Sequence, residues 1–198
     1  MTQPMEYIKF SLNETKVRPV IMIGRAPAIF DTGAVIPVFF TDEKTMVEGF
    51  GGNLTLKDVP LGGIGGEING SVYRIHDFHL KELNFRTLDV YVPSTPAEEP
   101  YMIFSCTMLH GLTYAIDSKR HILGISIQKE SDLVRDFTLG LENGRLVTFL
   151  NGVQLTSAEQ SESDFNYTQY LKKCEVRQHK LIEKVKRFIG ELTGGHYR

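Results

Sequence analysis

The sequence contains no tryptophan, only two cysteines, no long apolar run and no marked excess of either charge. Cys106 and Cys174 lie far apart and are too few to staple a small domain, so both read as reduced thiols of a reducing compartment. In that context the Asn-x-Ser/Thr matches at Asn13, Asn53, Asn69 and Asn166 carry little meaning. The longest apolar stretches, such as Ala34 to Phe40, fall far short of the roughly 20 residues that a bilayer-spanning helix needs. Lys and Arg number 22 against 24 Asp and Glu, so no overall basic field draws the chain onto nucleic acid or an anionic membrane. The opening residues, Met1 to Glu6, have neither the charged start nor the apolar core of a secretory leader. The expectation is a cytoplasmic protein with no nucleic-acid or membrane partner.

What is present is enough apolar material, 41% of 198 residues, for one core or for a core with an appendage. From Tyr7 to about Ile127 the chain reads as short strands punctuated by Gly and Pro: Tyr7 to Leu12, Val17 to Ile23, Ala28 to Phe30, Gly70 to Leu80, Leu88 to Val92, Thr113 to Asp117 and Ile122 to Ile127. Gly24-Arg25-Ala26-Pro27 reads as a hairpin connection, Pro93, Pro96 and Pro100 mark an exposed loop, and Thr107 to Leu112 suits one short helix. The predicted class is all-β, with a first domain over residues 1–130.

Residues 131–198 form a predicted C-terminal extension. Asn143-Gly144 is a type I′ turn signal between Phe137 to Leu141 and Leu146 to Leu150, a pairing that puts Phe137, Leu139, Leu141, Leu146 and Leu150 on one face. Residues 156–164 are polar and acidic, as a linker is. Beyond them apolar residues from Tyr167 to Leu192 recur at three- and four-residue steps, predicting an amphipathic helix over about 165–192. From Lys172 onward eight Lys and Arg outnumber three Glu, most simply as a solvated helix face.

Chemistry concentrates at Ala28-Ile29-Phe30-Asp31-Thr32-Gly33-Ala34, where a carboxylate follows an apolar run directly. An Asp at the end of a buried strand is costly unless something binds its charge or shares its proton. Gly33 would allow the tight turn that keeps that carboxylate accessible, and a simple Asp-Gly turn capping a strand remains the alternative. The second concentration is Gly62-Gly63-Ile64-Gly65-Gly66, a turn of unusual backbone freedom suited to a mobile hairpin tip over a cleft. It fits neither phosphate-loop pattern, having no Gly-Lys-Ser/Thr and having Ile68 where a dinucleotide motif needs its last Gly.

Phe30-Asp31-Thr32-Gly33-Ala34, the glycines from Gly62 to Gly66, and the apolar strand Met102-Ile103-Phe104 running through Ser105-Cys106-Thr107 into a short helix together resemble a retropepsin, the retroviral-type aspartic protease, across residues 7–127. The resemblance implies a closed β-barrel or sandwich with a flap hairpin, and an endopeptidase in which two carboxylates share a proton and activate a water. The chain has one Asp-Thr-Gly, Asp117-Ser118 being followed by Lys119, so the second carboxylate implied is Asp31 of a second copy in a two-fold homodimer. By the same resemblance Asp31 is catalytic, Thr32, Gly33 and Ala34 support it, and Gly62, Gly63, Ile64, Gly65 and Gly66 close over an extended peptide. No cofactor and no metal are implied. Retroviral proteases usually carry Gly-Arg-Asn/Asp where this chain has Ser105-Cys106-Thr107, and an acidic pair where it has Val35-Ile36.

Other classes fit less well. A haloacid-dehalogenase-type phosphatase needs a second Asp two residues after the first, where Gly33 stands. His76 and His79, three apart on a predicted strand, face opposite ways and suit no shared ion, with His110 and His121 far along the chain. Cys106 at a strand-to-helix junction reads as a buried, inert thiol. The alternative from a different class is a non-catalytic domain of the same fold that binds peptide or assembles with partners. The extension is expected to pack near the dimer interface, the linker letting its helix reach across.

Overall fold

Alternating and β-branched runs broken by Gly and Pro become strands. The computed structural model describes residues 6–11, 20–23, 26–63, 66–117, 121–127 and 129–155. Its strands there are β1 (Glu6–Ser11), β2 (Val20–Ile23), β3 (Ala26–Asp31), β4 (Val38–Phe40), β5 (Asn53–Gly63), β6 (Gly66–Leu80), β7 (Leu83–Pro93), β8 (Tyr101–Ser105), β9 (Thr113–Asp117), β10 (Ile122–Ile127), β11 (Val134–Glu142), β12 (Arg145–Leu150) and β13 (Val153–Leu155). The described residues are therefore mostly strand, in keeping with the all-β expectation. The predicted residues Ile64, Gly65, Gly24 and Arg25, together with the linker and the C-terminal helix, lie outside them.

Two sheets form. β1, β10 and β9 pair in that order, all antiparallel. The larger sheet runs β13-β12-β11-β7-β4-β8-β3-β2, with the long β5–β6 hairpin joined to it through β6 and β7. Most neighbours are antiparallel, but β3 lies parallel to β8, setting Phe30 beside Phe104 and Asp31 beside Ser105. That register decides what surrounds Asp31.

The helix expected at Thr107 to Leu112 is shorter, a single 3-10 turn over Cys106–Leu109. Ser105 caps it by accepting from the Thr107 amide, and Gly111, at φ +81°, takes the left-handed backbone that ends it. A short helical segment around Thr45–Gly49, not anticipated from sequence, starts at Asp42, whose carboxylate accepts from both the Thr45 amide and the Thr45 hydroxyl. Those bonds hold the Asp42 pKa below its ordinary value.

β7 is the strand most enclosed by others, flanked by β6 on one side and by β11 and β4 on the other. Leu88 to Pro93 are buried without interruption, as expected for a strand covered on both faces. That enclosure traps Asp89, fully buried. A buried carboxylate must be matched by charge and hydrogen bonds. Arg74 of β6 supplies both as a bidentate pair, Nε to Oδ1 at 2.8 Å and Nη2 to Oδ2 at 2.9 Å. Oδ2 also accepts the backbone amide of Leu139 at 2.8 Å. One side chain thus ties β6, β7 and β11 together.

The C-terminal hairpin has the expected register, Phe137 opposite Leu150 and Leu141 opposite Leu146, around Asn143 and Gly144, both with positive φ. It is not an appendage. β11 pairs parallel to β7, and Phe137, Leu139, Leu150 and Leu155 join the same buried cluster as Phe30, Phe85 and Phe104. The expected division at residue 130 therefore falls inside a unit that extends over Met1–Thr156. The physical reason is the free flank of β7, a row of backbone groups and apolar surface that the chain itself supplies a strand to cover. Removing everything after residue 130 would strip Phe137, Leu139, Leu150 and Leu155 from this core.

Arg74→Met is expected to cost about 3–5 kcal/mol, since it leaves the fully buried Asp89 carboxylate without its counter-charge. Asp89→Ala should cost less, because the Arg74 side chain it strands is a third exposed and can turn to water, although the Leu139 amide loses its acceptor. Urea unfolding of both variants checks the order; an Arg74→Met loss no larger than that of Asp89→Ala would show that the buried carboxylate does not depend on its counter-charge.

Candidate active site

Asp31 ends β3 and is half-buried, while Thr32 and Gly33 after it are exposed. The chain turns back at once, and the Gly33 amide donates to Asp31 Oδ1 at 2.8 Å. This local bond is the Asx-type turn that Asp favours. Gly33 does not adopt left-handed backbone. A Cβ there would meet Asp31 Oδ1 at 3.4 Å, an ordinary contact, so within one chain residue 33 contributes its amide rather than its conformational freedom.

A turn this sharp leaves carbonyls without strand partners, and each must find a donor. The parallel register of β3 and β8 puts three successive side chains in place. Ser105 Oγ donates to the Ala34 carbonyl at 2.5 Å, Cys106 Sγ to that of Thr32 at 3.2 Å, and Thr107 Oγ1 to that of Val35 at 2.7 Å. Ser105 and Thr107 also touch hydroxyl to hydroxyl at 2.6 Å. Two hydroxyl protons thus serve three close oxygen contacts, a compact clamp on the loop that carries Asp31. Ser105 is fully buried, so water does not compete there.

Behind the carboxylate stands an aromatic wall. Phe30 lies 5.9 Å from Phe104 and meets Tyr114 edge-on at 5.1 Å and 78°, the geometry that aromatic quadrupoles favour. Burial first, and then the adjacent Cys106 sulfur, push the Tyr114 phenol above its ordinary value, which keeps it protonated. Cys106 is half-buried and bonded to the Asp31 loop, not the fully buried packing residue expected from sequence. Sequence reasoning gave Ser105 and Thr107 no role. The signal was there: three side-chain donors in a row directly after an apolar strand.

The glycine-rich segment sits at the end of the β5–β6 hairpin. Gly62 faces Glu67 and Gly63 faces Gly66, with Gly66 at φ +104°, where a side chain would be strained. Farther down, the Tyr91 hydroxyl reaches from β7 to the carbonyls of Val59 on β5, at 2.7 Å, and Ile68 on β6, at 3.0 Å. Burial pushes its pKa up to about 12, so it remains a donor throughout the neutral range. Gly70 makes this possible. A Cβ there would lie 2.4 Å from the Val92 carbonyl and 2.7 Å from the Tyr91 ring. The structure thus brings Asp31, Thr32, Gly33 and Ala34 together with Ser105 to Thr107, and Gly62, Gly63 and Gly66 at one end of a hairpin.

A cavity of about 310 Å³ lies elsewhere, between the Asp42 turn, Tyr73, and the end of β7 at Val92 to Ser94. None of the predicted site residues lines it. His76 and His79 are both exposed. Among the described residues no three His, Cys, Asp or Glu side chains stand close enough to hold a metal ion, and no helix is long and apolar enough to cross a membrane.

Comparison with known proteins yields little by sequence: no protein-family model matches the chain, and no curated protein does. Among solved structures, the crystal structure of a retropepsin-like aspartic protease from Rickettsia conorii is similar at 15% identity and a TM-score of 0.41. That alignment covers 62% of this chain and 91% of the other.

Proposed function

We propose that this protein is an aspartic endopeptidase whose active site is completed by two copies of the chain, each supplying Asp31. The observation that carries this reading is the Asp31 turn itself, a carboxylate at a strand end with its loop clamped at three carbonyls by Ser105, Cys106 and Thr107. A loop fixed so closely suits a group that must hold position while a proton moves. Exposed Thr32, Gly33 and Val35 leave this surface open to a second copy of the chain.

In the proposed mechanism two carboxylates about 3 Å apart cannot both ionise. The ionised one takes a proton from a water held between them, and that water attacks the scissile carbonyl. The protonated one donates to the carbonyl oxygen, and the amine leaves after accepting a proton in turn. Thr32 would pair with its counterpart across the two-fold axis and hold the two loops in register. The Gly62 to Gly66 hairpin end would close over an extended peptide, offer it backbone N–H groups and exclude bulk water.

Asp31→Asn should lower cleavage of a proteome-derived peptide library, read by mass spectrometry, by at least about 10²–10⁴-fold, with the thermal unfolding midpoint close to wild type. Equal cleavage by both proteins would refute the assignment. A wild type that binds peptide without cutting it at any pH would favour the non-catalytic alternative.

Light scattering at micromolar concentration should give about twice 22.4 kDa. A monomer at every concentration, with an active-site peptide present, would rule out a site built from two chains.

A further inference from the structure

Two charged side chains are buried among the described residues, Asp89 and Arg135. Asp89 has a structural partner in Arg74. Arg135 has a different kind of partner. It lies on β11, in the segment beyond the retropepsin resemblance, and its Nη2 donates to the backbone carbonyl of His110 at 2.5 Å. Its Nε is buried without a hydrogen-bond partner. Burial pushes the guanidinium below its ordinary pKa, with the charge of Asp132 opposing the shift. A guanidinium placed there for packing alone would be a poor choice, since an apolar side chain of similar size fills such a site without the desolvation cost.

His110 gives the placement a purpose. It closes the 3-10 turn Cys106–Leu109, its amide bonding to the Thr107 carbonyl at 3.0 Å. Its own carbonyl faces β11 and takes the Arg135 proton. The far end of the same turn carries Ser105, Cys106 and Thr107, which hold the carbonyls of Ala34, Thr32 and Val35. The bulge between Arg135 and Asp136 in the β7–β11 ladder is where a strand re-aims a side chain.

We propose that Arg135 is a positioning residue for Asp31, fixing the turn at His110 so that Ser105, Cys106 and Thr107 hold the catalytic loop in register. The assignment of a catalytic effect rests on the proposed protease reading; the mechanical relay does not. It makes residues 134–155 part of the working site rather than a separate module.

The test uses the full-length chain and the variants Arg135→Met, Arg135→Lys, Thr107→Val and the double variant Arg135→Met with Thr107→Val. Hydrogen exchange is followed over residues 32–36 and 106–112, and kcat and KM are measured on a peptide that the wild type cleaves. Arg135→Met should speed exchange in both segments and lower kcat roughly tenfold or more with KM little changed. Arg135→Lys, which keeps a donor for the His110 carbonyl, should recover part of both. The double variant should lose less than the product of the single losses, because both act through one turn. Faster exchange confined to 106–112, an unchanged kcat, or fully multiplicative losses would overturn the proposal. If Arg135→Met does not fold, Arg135→Gln takes its place with the same outcomes. A wild type that cleaves nothing refutes the protease reading instead, and exchange over 32–36 then decides the relay alone.

Discussion

A backbone that reverses direction immediately after a strand must satisfy its own carbonyls, and at Asp31 three of them come in four residues. Thr32, Ala34 and Val35 each accept from a different side chain of the Ser105-Cys106-Thr107 run. This is possible only because β3 and β8 are parallel and in a register that sets Asp31 beside Ser105. A slip of one residue would turn the donors to the other face and release all three carbonyls of the loop. The position of the carboxylate is therefore a consequence of sheet pairing, and the aromatic contacts of Phe30 with Phe104 and Tyr114 reinforce the same register from behind.

The second constraint is Asp89. A carboxylate in the most enclosed strand would oppose folding if left alone, yet with Arg74 and the Leu139 amide it becomes a three-strand tie. The parallel β7–β11 ladder runs from Val134 to Phe137; beyond it the Asp89 side chain takes over the bonding of β11 at Leu139. Through β11, and through Arg135 in particular, the C-terminal strands reach the turn that clamps the Asp31 loop. Core, strands β11 to β13 and the Asp31 loop are in this sense linked within one unit.

Much of this was legible in advance. Asp31 after an apolar run, Asn143-Gly144 between two alternating segments, and the strand-to-turn passage through Ser105 are local patterns, and the structure places each in the expected element. β4 escaped because Val38 to Phe40 is too short to show a period, and β5 because its outward face is polar from Asn53 to Asp58. What could not be read locally was pairing at long range. Nothing near residue 135 announces that its guanidinium meets the carbonyl of His110, and nothing near Asp89 announces Arg74. The absence of an arginine beside Cys106 was visible; that a serine, a cysteine and a threonine hold the loop instead required the register. Of the hairpin's expected apolar face, Phe137, Leu139 and Leu150 are buried while Leu146 is half-buried and Leu141 stays exposed, because the face's destination, the flank of β7, is a property of the whole sheet.

The central claim is that one site needs Asp31 from two chains, and subunit mixing addresses it most directly. Wild type and Asp31→Asn chains, unfolded together and refolded in varied ratios at fixed total concentration, form dimers at random. The account predicts that cleavage rate per total protein falls as the square of the wild-type fraction, because only wild-type pairs hold two carboxylates. A rate proportional to the first power of that fraction would mean that each chain works with its own Asp31, and would contradict it.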